Sequence, residues 1–251
     1  METEFIRINK FLSEAGVCSR RGADRLVEEG RVTIDGKVAV LGDQILPGQK
    51  VLVDGREVQD EKILLAFHKP KGIVCTAEKR EKNNIIDYLH YPKRIYPVGR
   101  LDKDSEGLIL LTNDGELGNE ILRARNFHEK EYLVTVDQPF NAAFLKKMRE
   151  GVELKELGVT TRPCKVEAAG AKAFRIILTQ GLNRQIRRMC AELGYRVVTL
   201  KRVRIMNIHL GKLNTGDFRR ATPQELEELE WQLEQARMER EEADLPEEQD
   251  E

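Results

Sequence analysis

Hydrophobic and polar positions divide the chain into stretches of different rhythm. Near the N-terminus Ile8, Phe11, Leu12 and Ala15 recur at helical spacing. Ser19 then stands as the N-cap of a second helix, RRGADRLVEEG, which Gly30 closes. RVTIDGKVAV alternates on either side of Asp35-Gly36, a hairpin dipeptide, and DQILPGQKVLVD adds a turn and another strand. Two short helices and a small twisted sheet make a first unit of residues 1–60. Its end, REVQDE (Arg56–Glu61), reads as a polar linker.

Beyond the linker the rhythm is that of strands. The pattern predicts strands at Ile63–Phe67, Gly72–Thr76, Leu108–Thr112, Glu131–Asp137, Lys165–Ala169, Phe174–Thr179 and Val197–Leu210. Helices are expected at Gly115–Arg125, Ala142–Glu150 and Arg184–Leu193. Strands joined by short turns give an α+β domain on a mostly antiparallel sheet, covering 61–223. From Gln224 to Glu251 the chain reads as an acidic helix that frays into a disordered tail after Arg240. Leu226, Leu229 and Leu233 give that helix a narrow apolar stripe for docking, with Trp231 between them.

The formal net charge of −1 hides a strong asymmetry. Gln224–Glu251 holds 13 acids and 2 bases, so Met1–Pro223 carries 40 bases and 30 acids. Gln180–Arg220 alone has 10 bases against 2 acids. A basic body with one concentrated cationic zone points to a polyanionic partner. The longest apolar runs are about six residues, too short to span a membrane. The charged start METEFIRINKFL lacks a secretory core. Cys18, Cys75, Cys164 and Cys190 are scattered with no C-x-x-C pair, which argues against zinc and disulfides and for the cytoplasm. No G-x-G-x-x-G, P-loop or H-E-x-x-H is present, so nucleotide and zinc chemistry lack support.

The candidate chemistry centres on GRLDKDSEGLILLTNDG, Gly99–Gly115. Asp102 follows Arg100 by two residues and precedes the apolar run Leu108–Leu111. A carboxylate in a turn entering a buried strand is costly unless it has a partner or a function.

This motif, with HEKEYLVTV and QGLNRQIRRMCAELGY, resembles the RsuA-type family of bacterial ribosomal RNA pseudouridine synthases. RINKFLSEAGVCSRRGADRLVEEGRVTIDGK resembles the RNA-binding module named after ribosomal protein S-four. NNIIDYL and RIMNIHL favour the RluF type, which acts on large-subunit rRNA. The resemblance runs from about Ile6 to Thr222. It implies an isomerase that breaks the N1–ribose bond of uridine and rejoins the ribose to carbon-5. No atom enters or leaves, so neither cofactor nor metal is expected.

The resemblance makes Asp102 the indispensable carboxylate, acting either as a nucleophile or as a base on the ribose. Tyr132 resembles the active-site tyrosine, whose ring can stack on a base while its hydroxyl reaches the carbon-5 proton. Arg187 resembles the cation that pairs with the catalytic Asp; its choice over Arg184 rests on the resemblance. Leu182 is expected to wall the target base. Arg184 and Arg188 read as outward phosphate binders. Arg100 reads as a plane that fills the space left by a flipped uridine, or as a local partner of Asp104 or Glu106. Arg7, Lys10, Arg20, Arg21 and Lys37 are the module's candidate phosphate contacts, beside the helix N-terminus capped by Ser19. The module holds nine bases and eleven acids, so binding there requires charge segregated onto one face. The expected protein is a monomer acting on ribosomal RNA. Transfer RNA or small-subunit rRNA as substrate, and a non-catalytic rRNA-binding assembly protein, are the alternatives. A pure binder has no reason to hold the set Asp102, Tyr132 and Arg187.

Overall fold

The computed structural model describes residues 5–59, 61–78, 80–123 and 127–243. The N-terminal module runs β1 (Ile6–Arg7), α1 (Ile8–Glu14), α2 (Arg20–Glu28), β2 (Val32–Ile34), β3 (Lys37–Val38), β4 (Gln44–Ile45), β5 (Val51–Val53) and β6 (Arg56–Glu57). Ser19 Oγ accepts a hydrogen bond from Gly22 N at 3.1 Å and caps α2 as expected. Asp35 and Gly36 both take positive φ, the geometry of a tight hairpin between β2 and β3. Ile8, Leu12, Ala23, Val27, Val32 and Val51 form the module's own core. REVQDE is not all linker: Arg56 and Glu57 add β6 antiparallel to β5.

The larger domain continues with β7 (Leu64–Lys69), α3 (Ile85–Leu89), β8 (Tyr96–Val98), β9 (Glu106–Thr112), α4 (Gly115–Leu122), β10 (Lys130–Val136) and α5 (Ala142–Glu150). Then come β11 (Glu153–Leu154), β12 (Val159–Thr160), β13 (Lys165–Ala168), β14 (Ala173–Leu178), α6 (Gln185–Glu192), β15 (Val197–Ile205), β16 (Ile208–His209), β17 (Phe218–Arg220) and α7 (Pro223–Ala243). The central sheet has the order β13-β14-β10-β15-β9-β7-β17, with β16 on β15 and β8 on β9. It is mostly antiparallel, as the pattern implied, and β9–β15 is a parallel pair within it.

The continuous apolar run of β9 is explained by a sheet covered on both faces. Ile109 and Leu111 join a core with Phe144 and Met148 of α5 and Ile186 and Met189 of α6. Leu108 and Leu110 face the other way, toward Ile121 of α4 and Leu229 and Leu233 of α7. The acidic helix therefore docks by the leucine stripe its spacing predicted. α7 continues to Ala243, past Arg240 where the disordered tail was expected to begin, and the rest of that tail lies outside the described residues.

Two expectations need correction. Gly72–Thr76 is no strand, holding only a bridge between Val74 and Asn84. Its polar groups are used on the neighbouring loop instead: Gly72 N donates to Lys103 O at 2.7 Å, and Cys75 Sγ contacts both Leu101 O and Leu101 N. Val197–Leu210 breaks at Met206, whose φ of 51° turns the chain back into β16.

The module is tied to the larger domain. Asn113, 1% exposed, donates to Glu14 O and to Glu61 O and accepts from Ile63 N. Arg94 donates from its side chain to Ser13 Oγ and from its backbone to Gly16 O.

Candidate active site

The parallel pair β9–β15 decides where the site lies. Gly107 stands opposite Arg202 at a close backbone approach: a Cβ on Gly107 would sit 2.3 Å from Arg202 O. Gly107 also has φ of +116°, so the glycine of the EGL triplet is required twice over. Because the two strands run the same way, the loop entering β9 and the helix preceding β15 meet at one end of the sheet. Asp102 lies in the first and the arginines of α6 in the second.

Asp102 opens a turn closed by Ser105 N donating to Asp102 O at 3.1 Å. The residues before it are clamped from behind. Cys75 holds both polar groups of the Leu101 backbone, and Arg202, 3% exposed, donates from Nη1 to Arg100 O and from Nε to Leu108 O. Lys69 lies fully buried below, donating to Pro70 O and Ile73 O at 2.9 Å each. Burial pushes its ammonium below the usual lysine range, while Asp102 and Asp104 pull it back up. The turn that carries Asp102 is thus backed by the buried Arg202, with the buried Lys69 holding the neighbouring Pro70–Ile73 segment.

The cleft over this turn encloses about 770 Å³, and Asp102, Lys103, Asp104, Arg184 and Arg187 line it with Lys71, Asn183 and Val198. The Asp102 carboxylate is 35% exposed, half-buried rather than buried. Arg184 Nη1 is 3.7 Å from its Oδ2, a charge contact without a hydrogen bond. Arg184 instead forks onto Asp104, Nη1 to Oδ1 at 3.2 Å and Nη2 to Oδ2 at 3.0 Å. That hydrogen bonding holds Asp104 below the ordinary carboxylate range and raises Arg184.

The expected pairing of Arg187 with Asp102 is therefore not what the structure contains. Arg187 Nη2 donates to Asp104 O and to Ser105 Oγ, and lies 3.4 Å from Asp104 Oδ2. The reason is backbone geometry. Arg184 has φ of 51°, so the chain turns sharply into α6 and brings Arg184 over Asp102, while Arg187, one turn further on, reaches the far side of the turn. Asp104 takes the hydrogen bonds of Arg184 and the nearer contact of Arg187, and leaves the Asp102 carboxylate only the charge contact at 3.7 Å.

The other anticipated residues fall out as follows. Tyr132 sits on β10 directly opposite Arg202 and packs on the core beneath α6, as does Leu182. Neither is among the residues that line the cleft. Arg188 is no free phosphate binder: it pairs with Glu156 and donates to Asn183 O. Arg100 is exposed and pairs with neither Asp104 nor Glu106, which are taken by Arg184 and Lys201. Lys10 pairs with Glu116 of α4, joining the module to the larger domain rather than facing solvent. Arg7, Arg20, Arg21 and Lys37 are exposed. Sequence reasoning missed Lys71 and Lys103, exposed cations on the cleft's rim, although Lys103 adjoins Asp102 in the motif itself.

Residues 63–192 match the family model described as RNA pseudouridylate synthase. The chain belongs to the RNA pseudouridylate synthase family. Residues 6–51 of this synthase match the S4 domain, so the small module is an S4 domain. The synthase is 52% identical over 227 residues to the dual-specificity RNA pseudouridine synthase RluF of Salmonella typhi, spanning 89% of this chain and 78% of that one. It is 34% identical to the ribosomal large subunit pseudouridine synthase B of Bacillus subtilis, over 89% of this chain and 95% of that protein. A solved pseudouridylate synthase superposes with a TM-score of 0.65 at 30% identity, covering 89% of this chain and 99% of its own. The protein is an RNA-modifying isomerase of the RluF type.

Proposed function

We propose that this synthase isomerises a specific uridine of large-subunit ribosomal RNA, acting in the cytoplasm as a monomer, with Asp102 as its reacting carboxylate. The observation that carries this reading is the division between the two acids of the turn. Asp104 takes the hydrogen bonds of Arg184 and the contacts of Arg187, while Asp102 has one charge contact at 3.7 Å and opens into the cleft. A carboxylate not held by donors keeps its lone pairs for a carbon or a proton. Lys71, Lys103 and Arg184 line the same cleft and suit the phosphates on either side of an extruded nucleotide. In this reading Asp102 attacks the ribose or the base, or takes a proton from the ribose 2′-carbon. The N1–C1′ bond breaks, C5–C1′ forms, and the carbon-5 proton leaves as N1 recovers one.

The family resemblance assigns Tyr132 the carbon-5 proton, although it packs on the core beneath α6 and is not among the residues lining the cleft. Arg202, directly across the strand pair, is the cation nearest to it in register. Arg187 fixes the turn rather than the carboxylate.

The test is Asp102→Asn. Product formation should fall below about a thousandth while RNA affinity stays within about threefold, because binding comes from the cations. A purified variant retaining more than about a tenth of the activity ends the assignment. The name of the Salmonella relative favours a second RNA substrate, for which a transfer RNA is the candidate. Mapping pseudouridine in ribosomal and transfer RNA from cells with and without the gene separates the two.

A further inference from the structure

The acidic helix plays no part in the cleft, and it lies on the other side of the sheet. Leu229 and Leu233 of α7 pack on the core that Leu108 and Leu110 face, opposite the core beneath α6. Between α7 and the start of β10 runs a groove of about 430 Å³, lined by Phe127, His128, Trp231, Gln235 and Glu239 among others. It shares no lining residue with the catalytic cleft.

Two independent features of the groove call for the same chemistry. First, Trp231 is 62% exposed, a large apolar ring left on a charged helix. Phe127, also lining the groove, already receives the guanidinium of Arg162 at 4.5 Å from its ring centre. Trp231 offers a second and better face for a cation, and no cation lies over it among the described residues.

Second, the exposed side of α7 is acidic. Glu227, Glu230 and Glu239 are exposed and carry no ion pair among the described residues. Phosphates are repelled here, and ammonium or guanidinium groups are drawn in.

We propose that the groove between α7 and β10 binds a Lys/Arg-rich peptide segment of a partner protein, one cation stacking on Trp231 and others pairing with the exposed α7 carboxylates, while RNA occupies the opposite face. A cationic segment satisfies the exposed ring and the free carboxylates at once. RNA satisfies at most the ring. Because the groove and the cleft lie on opposite faces, the peptide and the RNA bind together without competing for residues.

Trp231 is the chain's one tryptophan, so its emission reports on this groove alone. The probe is octa-arginine titrated into the full-length protein, with a 12-nucleotide oligouridylate as the parallel titrant. Octa-arginine should change the emission saturably, with half-saturation at or below about 50 μM in about 50 mM salt and at least about fivefold weaker binding in about 300 mM salt. Anisotropy of labelled octa-arginine should show Trp231→Ala weakening binding about two- to fivefold and Glu239→Gln weakening it as well. Both side chains are exposed and far from Asp102, so both variants should keep full pseudouridine formation.

No emission change with octa-arginine overturns the proposal. So does Trp231→Ala binding the peptide as tightly as the parent, which would reduce attraction to diffuse charge. A change produced by oligouridylate but not by octa-arginine makes the groove an RNA contact instead. None of these readouts depends on the role of Asp102.

Discussion

Gly107→Ala is the substitution that most directly tests how this fold builds its site. The added Cβ would stand 2.3 Å from Arg202 O, 2.5 Å from Arg202 N and 2.9 Å from Arg202 C, all backbone atoms of the parallel partner strand. No rotamer change relieves a clash with backbone. Strands β9 and β15 must separate by about 1 Å, with a strain of about 1–3 kcal/mol for overpacking. A non-glycine residue at φ of +116° adds about 1–3 kcal/mol more. Separation also loosens the 2.6 Å bond from Arg202 Nε to Leu108 O and the contact of Nη1 with Arg100 O. The whole loss is about 3–5 kcal/mol, a fall in Tm of roughly 6–20 °C for a chain of this size. The turn bearing Asp102 moves with β9, and a displacement of about 1 Å at a reacting group lowers turnover about 100-fold. Gly36→Ala is the control: φ is +81° at an exposed hairpin, but nothing lies within 4 Å of its Cβ. It should show the conformational strain alone, with unchanged turnover. The assays are thermal unfolding and single-turnover pseudouridine formation with stoichiometric RNA. Gly107→Ala with a Tm within about 2 °C of the parent and turnover within about threefold would refute the claim that this close approach sets the catalytic turn.

Tyr132→Phe keeps the ring and loses the hydroxyl, so single-turnover rate should fall at least about 100-fold with RNA affinity unchanged; an unaltered rate makes Tyr132 a packing residue. Replacing both Arg20 and Arg21 by Ala, beside the Ser19-capped N-terminus of α2, should flatten the salt dependence of RNA binding by about 1.4–1.8 in log–log slope. An unchanged slope removes these two from the interface. Lys130→Met addresses a lysine that burial, helped by Arg202, pushes down to about 8. Between about pH 8 and 10.5 the unfolded chain binds the proton that the folded chain has shed, so parent stability rises with pH through that window. The variant should be more stable than the parent by about 2–3 kcal/mol below pH 8, and the gap should close by about pH 10.5 in urea unfolding. A gap that does not change with pH contradicts a buried, destabilising charge.

Much of this fold was legible because its signals are local. The Ser19 cap, the Asp35-Gly36 hairpin, the leucine stripe of α7 and the doubly buried run of β9 each follow from a few adjacent residues. So did the placement of Asp102 in a turn before a buried strand. What could not be read are the contacts that join distant segments. The parallel pairing of β9 with β15 has no local signature, yet it explains why Gly107 is a glycine and why α6 stands over the turn. Cys75 looked like a strand residue and proved to hold Leu101. Lys10 and Arg188 looked like free cations, but Glu116 and Glu156, from other elements, take them. α3 was missed because five residues are too few to show a helical period.

The same gap explains the exchange between Arg184 and Arg187. Periodicity says which residues share a helix face, but it says nothing about where a helix begins in space. Arg184 stands outside α6, in the left-handed region, where no helical face applies to it. Its guanidinium is free to reach back across the turn, and Asp104 meets it with both oxygens. Asp104 thereby does for Asp102 what a direct arginine clamp would prevent. It collects the guanidinium groups that hold the turn in place, so that Asp102, in the role proposed for it, has a cation at 3.7 Å for charge and no side-chain hydrogen bond among the described residues to break before it reacts. On the proposed function Asp104 is a positioning residue, and the D-K-D spacing of the motif puts one carboxylate on the arginines and leaves the other open to the cleft.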